Sequence, residues 1–312
     1  MAVPAVSGGP PGRGPSYRDD IVATELFSSH FGLTGNPFSL VPDPSYLFWS
    51  PLHRKAYTVL EYGMLTGAPI TVLTGEVGTG KTTLIRNLLD NAPDDLRLGL
   101  LSNAQANRGD LYRWVLNAFD IPTDHPDDPV AMFQAFQDFV IEEYAQRRRV
   151  VVIIDEAQNL GAERLEELRM LTNINSGSDE LLQIILVGQP QLKALLTSPD
   201  MRQFAQRVAV YFDLSALDQK AVGKYIRHRL KRAGGTGEEF EPDAIRRVFE
   251  ETGGLPRIIN KLCDLSLVYA ASAESTRVTE ALVNDVLNDG LLIEFGSPAL
   301  LRSDASHRNA AE

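Results

Sequence analysis

The chain has 312 residues, with 30 Lys and Arg against 41 Asp and Glu, a formal net charge of −11 at pH 7, and 44% hydrophobic residues. That length suits one large domain or two modest ones around a real core. The single cysteine, Cys263, excludes a disulfide scaffold and a cysteine-based zinc site, no aliphatic run nears the roughly 20 residues of a membrane span, and the acidic balance argues mildly against a surface built mainly for nucleic acid.

Pro4–Pro15 is dominated by Gly and Pro, so residues 1–30 are expected to be a disordered tail. No charged-then-apolar leader opens the chain, and one cysteine suits a reducing compartment, so the expected location is cytoplasmic. Ile70–Thr74 reads as a strand ending at Gly75, and Lys81–Leu89 carries apolar residues at helical spacing. Leu96–Leu101 is a second strand and Asp110–Phe119 a helix. Val130–Arg147 is another helix, with Phe133, Phe136, Val140 and Tyr144 on one face. Val150–Ile154 is five β-branched residues in a row, as in a strand buried on both faces, and Leu182–Val187 is similar. Strands alternating with helices predict an α/β protein with a parallel sheet and helices on both faces. Beyond about Asp213 only helical patterns occur: Gln219–Ala233, Pro242–Glu251, Arg257–Ser272 and Thr279–Asn288. The expected organisation is a core over 31–213, an all-helical lid over 214–290 and a C-terminal tail over 291–312.

Gly75-Glu76-Val77-Gly78-Thr79-Gly80-Lys81-Thr82 matches G-x-x-x-x-G-K-[ST] between a predicted strand and a predicted helix. Glycines let a backbone wrap a phosphate with its N–H groups inward, and the helix N-terminus adds partial positive charge. Lys81 is placed to reach the β- and γ-phosphates, and the Thr82 hydroxyl to ligate Mg²⁺. Asp155 closes the Val150–Ile154 strand at the sheet edge where ligands of open α/β sheets bind, which suits it to hold Mg²⁺. Glu156, one residue on, is placed to polarise the attacking water. Alone, Asp-Glu after a strand is an ordinary helix cap; the phosphate loop upstream changes its meaning. Gln189, after the Leu182–Val187 strand, emerges on the same edge and could orient that water. Arg202 and Arg207 precede the apolar run Val208–Phe212, and either could enter a neighbouring subunit's site. Arg257, in Gly253-Gly254-Leu255-Pro256-Arg257, starts a helix after a tight turn and could fold onto the γ-phosphate.

In this order the motifs resemble the AAA+ ATPases, and more narrowly the ExeA/GspA-like general-secretion and exosortase-associated group, related to TniB-type transposition ATPases. The resemblance runs from about Phe31 to Asn288. It rests on Asn36-Pro37-Phe38, the helix from His53, the blocks Leu73–Leu84 and Ile153–Leu160, Gln206-Arg207-Val208, and Gly253–Asn260. It implies a P-loop NTPase core with a helical lid, ATP and Mg²⁺ as cofactors, and a nucleotide cradle of Gly75, Glu76, Val77, Gly78, Thr79, Gly80, Lys81, Thr82 and Thr83. Thr82 and Asp155 would hold the metal, Glu156 would act as base, and Gln189 would be the first sensor. Arg207 would be the trans-acting arginine and Arg257 the second sensor. The resemblance further places Asn36 and Phe38 over the adenine and a polar partner for Glu156 at Asn103.

The implied function is an ATPase that oligomerises around nucleotide and energises a secretion or export partner. Some relatives continue into a membrane span and a wall-binding domain; none follows here before Glu312, so membrane association is expected through a partner. The alternative is an ATP-gated DNA-binding regulator of the transposition type. The basic stretch Lys220–Arg232 (Lys220, Lys224, Arg227, His228, Arg229, Lys231, Arg232) would carry that role, against the plainer reading of a solvated helix face. A small-molecule kinase is a third class, disfavoured by the separate helical region.

Overall fold

The computed structural model describes residues 27–41, 43–102, 111–125, 127–176 and 179–292; Asn103 lies outside them. The chain divides into two compact units, one made of Leu40–Ala221 with Thr252–Ile259, the other of the segments up to Ser39, Val222–Glu251 and from Asn260 onward.

The first unit is an α/β layer structure. Its strands are β1 (Ile70–Thr74), β2 (Leu96–Leu101), β3 (Arg149–Ile154), the two-residue pair β4 (Asn175–Ser176) and β5 (Asp179–Glu180), β6 (Leu182–Gly188) and β7 (Val208–Asp213). The main sheet has the order β2-β3-β6-β1-β7, and every pairing within it is parallel. Its helices are α1 (Pro51–Thr66), α2 (Lys81–Asp90), α3 (Leu111–Ala118), α4 (Pro129–Ala145), α5 (Gly161–Leu171), α6 (Pro190–Leu196) and α7 (Arg202–Arg207).

The continuous aliphatic strands serve two cores at once. On β3, Val150, Val152 and Ile154 join one cluster with Met132, Phe136 and Leu168; Val151 and Ile153 join the other with Leu60, Leu84 and Leu88. On β6 the same alternation divides Leu182, Ile184 and Leu186 from Ile185 and Val187. A side-chain period of two sends neighbours to opposite faces, so a strand with helices on both faces must be apolar throughout. The edge strand β7, by contrast, alternates partly buried and exposed positions.

One helical face differs from expectation. On α4 the buried residues are Met132, Phe136, Val140 and Glu143, whereas Tyr144 is exposed and its hydroxyl donates to Asp179 Oδ2. Each four-residue step advances about 40° beyond a full turn, so a stripe begun at Phe136 has rotated out of the core by Tyr144.

In the second unit, residues 27–31 are helical and Phe27 is buried, so the expected N-terminal tail stops short of residue 30. The helices α8 (Gln219–Arg232), α9 (Pro242–Thr252), α10 (Pro256–Ser272) and α11 (Glu280–Asn288) follow, with the start of α8, Thr252 of α9 and the first turn of α10 counted in the first unit. Their apolar stripes bury Ile226 and Leu230, Val248, Leu262 and Leu267, and Val283 and Val286. Cys263 is fully buried among them, and burial pushes its thiol well up from the usual range. Among the described residues no helix is long and apolar enough to cross a membrane.

Candidate nucleotide site

The phosphate loop, Asp155, Glu156 and Gln189 gather at the carboxyl ends of β1, β3 and β6, because parallel strands expose that end together. Gly75–Gly80 connects β1 to α2, and Thr79 closes the turn by donating its hydroxyl to Glu76 O at 2.9 Å. Gly78 and Gly80 have φ of +82° and +98°, in the left-handed region that favours glycine. Space demands glycine at Gly78 as well: a Cβ there would stand 2.4 Å from the Arg257 Cβ.

Lys81 opens α2 and folds back over the loop. Its ammonium is buried and donates to Gly75 O at 2.7 Å and Glu76 O at 2.9 Å. Burial lowers its pKa from the ordinary lysine value, against the opposing pull of Glu156, Asp155, Glu76 and Asp213. Thr82, one residue on, donates its hydroxyl to Asp155 Oδ2 at 2.9 Å, across 73 residues of sequence. A hydroxyl and a carboxylate are hard oxygen donors, and such a pair fits Mg²⁺, which keeps its other positions for water and phosphate. Among the described residues no cluster of three His, Cys, Asp or Glu could hold a metal. Thr83 follows in the same first turn of α2, while Glu76 and Val77 are exposed at the loop's outer side.

Glu156 follows Asp155 at the end of β3 with φ +55°, which turns the chain sharply out of the strand. Its Oε2 accepts from two amides, Gln158 Nε2 at 2.6 Å and Gln189 Nε2 at 2.9 Å. Gln189, at the end of β6, is thus brought to the same edge. Arg257 is brought there too: its backbone N–H donates to Gly78 O at 3.3 Å. Arg207 is engaged elsewhere, donating to Asn173 Oδ1 at 2.7 Å and pairing with Glu180 at 3.5 Å; Arg202 is exposed. Asn36 and Phe38 belong to the second unit, where Asn36 Oδ1 accepts from Phe38 N and the buried Phe38 ring meets Phe240 edge-on.

A family model described as an AAA domain matches residues 64–196. The chain carries an AAA domain. Its sequence is 37% identical over 253 residues to general secretion pathway protein A of Aeromonas hydrophila, covering 81% of this chain and 46% of that protein. The chain therefore spans about half the length of that curated relative. Among solved structures it is similar to Cdc6p of Pyrobaculum aerophilum, with TM-score 0.62, 15% identity, and 85% of this chain and 73% of that chain covered. It is also similar to the ORC2 protein of Aeropyrum pernix in ADPNP–ADP complexes, with TM-score 0.60, 16% identity, and 84% and 72% covered. At these identities the likeness speaks for the fold alone: a parallel sheet with flanking helices and a C-terminal helical region.

Two residues of the AAA domain's site carried no role in the sequence reading. His53, on α1, is buried; its Nδ1 meets Ser50 Oγ at 2.7 Å and its Nε2 meets Thr79 O at 3.0 Å, so it props the phosphate loop from below. Burial lowers its pKa, with the Thr79 carbonyl opposing that shift. Gln158, in the short 3-10 turn Ala157–Asn159, is the other. A lone polar residue in a helix or loop has no spacing signature, and nothing in the motif pattern would have found either.

Proposed function

We propose that the chain binds ATP with Mg²⁺ and hydrolyses it to ADP and phosphate, and that it oligomerises around the nucleotide to energise a partner assembly in secretion or export. The observation that carries the ATPase reading is the Thr82–Asp155 hydrogen bond beside Lys81 and Glu156, which joins the two halves of a phosphate-and-metal site. In this reading the loop N–H groups and Lys81 bind the β- and γ-phosphates, Lys81 exchanging its two carbonyl partners for phosphate oxygens. Thr82 and Asp155 hold Mg²⁺, which supplies neutralisation of phosphate charge. Glu156 accepts the proton of the attacking water, Gln189 orients that water, and Arg257 approaches the γ-phosphate from the start of α10. Arg207 reaches the site of a neighbouring subunit by leaving Asn173 and Glu180. The secretion partner follows from the similarity to general secretion pathway protein A, and membrane association would run through that partner.

The DNA-binding alternative has weaker support in the basic helix than its sequence suggests. The Arg229 guanidinium is buried and donates to Pro37 O and Ser39 O. Charge committed to the fold is not available to a phosphate backbone.

The test is phosphate release from ATP with Mg²⁺ and no added acceptor. The wild-type chain should turn over and Glu156→Gln should lose about 10²–10⁴-fold, the usual contribution of a general base. Full turnover by Glu156→Gln would remove that residue from its role, and turnover only with an added acceptor would favour a kinase.

A further inference from the structure

Glu156, Gln158 and Gln189 form a closed ring of hydrogen bonds. Gln158 Nε2 donates to Glu156 Oε2 at 2.6 Å, Gln158 Oε1 accepts from the Gln189 backbone N–H at 3.0 Å, and Gln189 Nε2 donates to the same Glu156 Oε2 at 2.9 Å. One glutamine thus uses both ends of its amide. The donor end grips the proposed base, and the acceptor end grips the strand end that carries the proposed sensor. The fold makes room for this: a Cβ at Gly188 would stand 2.8 Å from Gln158 Oε1. Gln158 is half-buried and the 3-10 turn beneath it packs Ala157 and Leu160 into the core, so the amide has a fixed footing.

Glu156 needs this support more than an ordinary loop residue does. Its backbone is left-handed, a conformation that non-glycine residues rarely adopt, and a glutamate side chain has three torsions to settle. With Oε2 holding two N–H donors, the carboxylate is restrained from that side.

We propose that Gln158 is a positioning residue for ATP hydrolysis: its side-chain amide ties the Glu156 carboxylate to the backbone at Gln189, holding base and sensor in register. When Gln189 turns its amide toward the water or the γ-phosphate, Gln158 still holds Glu156. This rests on the ATPase reading above, with Glu156 as base. The side-chain amide of Gln158 bonds Glu156 and the Gln189 backbone, so in this role its effect falls on kcat and leaves nucleotide affinity alone. Loss of fixed aim costs about 10–100-fold, as misplacement of a reacting group does.

The experiment compares four chains by kcat, KM and equilibrium binding of MgATP: wild type, Gln158→Met, Gln158→Glu and Glu156→Gln. Gln158→Met keeps length and apolar bulk while removing both ends of the tie. Gln158→Glu keeps the length and the acceptor toward Gln189 N but replaces the donor toward Glu156 by a carboxylate that repels it. Both should lose about 10–100-fold in kcat, with KM and MgATP affinity within about twofold of wild type. In the double variant Glu156→Gln/Gln158→Met the second change should cost less than about twofold, since the group it aims is gone. Wild-type kcat in both Gln158 variants, beside an inactive Glu156→Gln, would overturn the proposal and leave the ATPase reading standing. A fall in kcat matched by a fall in MgATP affinity, or a full further loss in the double variant, would mark Gln158 as structural only and also overturn it. A fully active Glu156→Gln would instead bring down the reading beneath it.

Discussion

The two halves of the nucleotide site are built differently. The half at β1 is backbone: Gly75–Gly80 curls through left-handed positions, and even Lys81 rests on two carbonyls of its own loop. The half at β3 and β6 is side chain: Glu156, Gln158 and Gln189 hold one another through a carboxylate and two amides, and the Asp155 carboxylate accepts from Thr82 and from the Glu156 N–H. A backbone cradle must be written in glycines at fixed spacing within a few residues. A side-chain ring can be assembled from residues 31 and 33 positions apart and leaves no spacing behind.

If that division is real, the halves should fail in different ways. The largest effect is expected at Lys81→Ala, which should weaken MgATP binding by on the order of 10²–10⁴-fold, the loss of two charge-assisted hydrogen bonds, and abolish turnover with it. Next comes Arg207→Ala, expected to cut turnover roughly 10³-fold in an oligomer while single-site MgATP binding is kept. Mixing it with Lys81→Ala subunits should restore part of the activity, because each subunit supplies what the other lacks. No rescue, with no ATP-dependent oligomer in sedimentation, would confine Arg207 to its bonds with Asn173 and Glu180. Gly78→Ala should weaken MgATP binding about tenfold, since φ +82° costs a side chain roughly 1–2 kcal/mol and the Arg257 Cβ stands in the way. Unchanged affinity there would show that the loop tolerates a different path.

The smallest effect concerns the prop beneath the loop. His53 has its pKa lowered by burial, so the unfolded chain binds its proton more readily than the folded one. Its contribution to stability is therefore complete above the ordinary value of 6.5 and declines as pH falls through that value toward the lower folded one. Thermal unfolding followed from pH 7.5 down to about pH 5 should show a shallower acid-side decline in His53→Gln, whose amide can still reach Thr79 O. An identical pH dependence in the two chains would contradict the assignment.

The same division explains what could be read in advance. The sheet was legible because strands such as Val150–Ile154 must be apolar on both faces, and the phosphate loop because glycine positions are dictated by backbone geometry. Asp155 and Glu156 were legible from their place at a strand end after such a loop. His53 and Gln158 were not, because each acts through a single contact with a residue distant in sequence. The face of α4 was misjudged at Tyr144 through the drift of the helical period. Arg229 read as part of a basic stripe, but long arginine side chains can turn inward to carbonyls, and this one does.

The central claim is that one half of the site binds nucleotide and the other half performs the reaction. Equilibrium binding of a fluorescent ATP analogue with Mg²⁺, compared across wild type, Lys81→Ala and Glu156→Gln, tests it most directly. The account predicts wild-type affinity for Glu156→Gln and a loss of at least about 100-fold for Lys81→Ala. Equal affinities in all three chains, or a loss at Glu156→Gln as large as at Lys81→Ala, would contradict it.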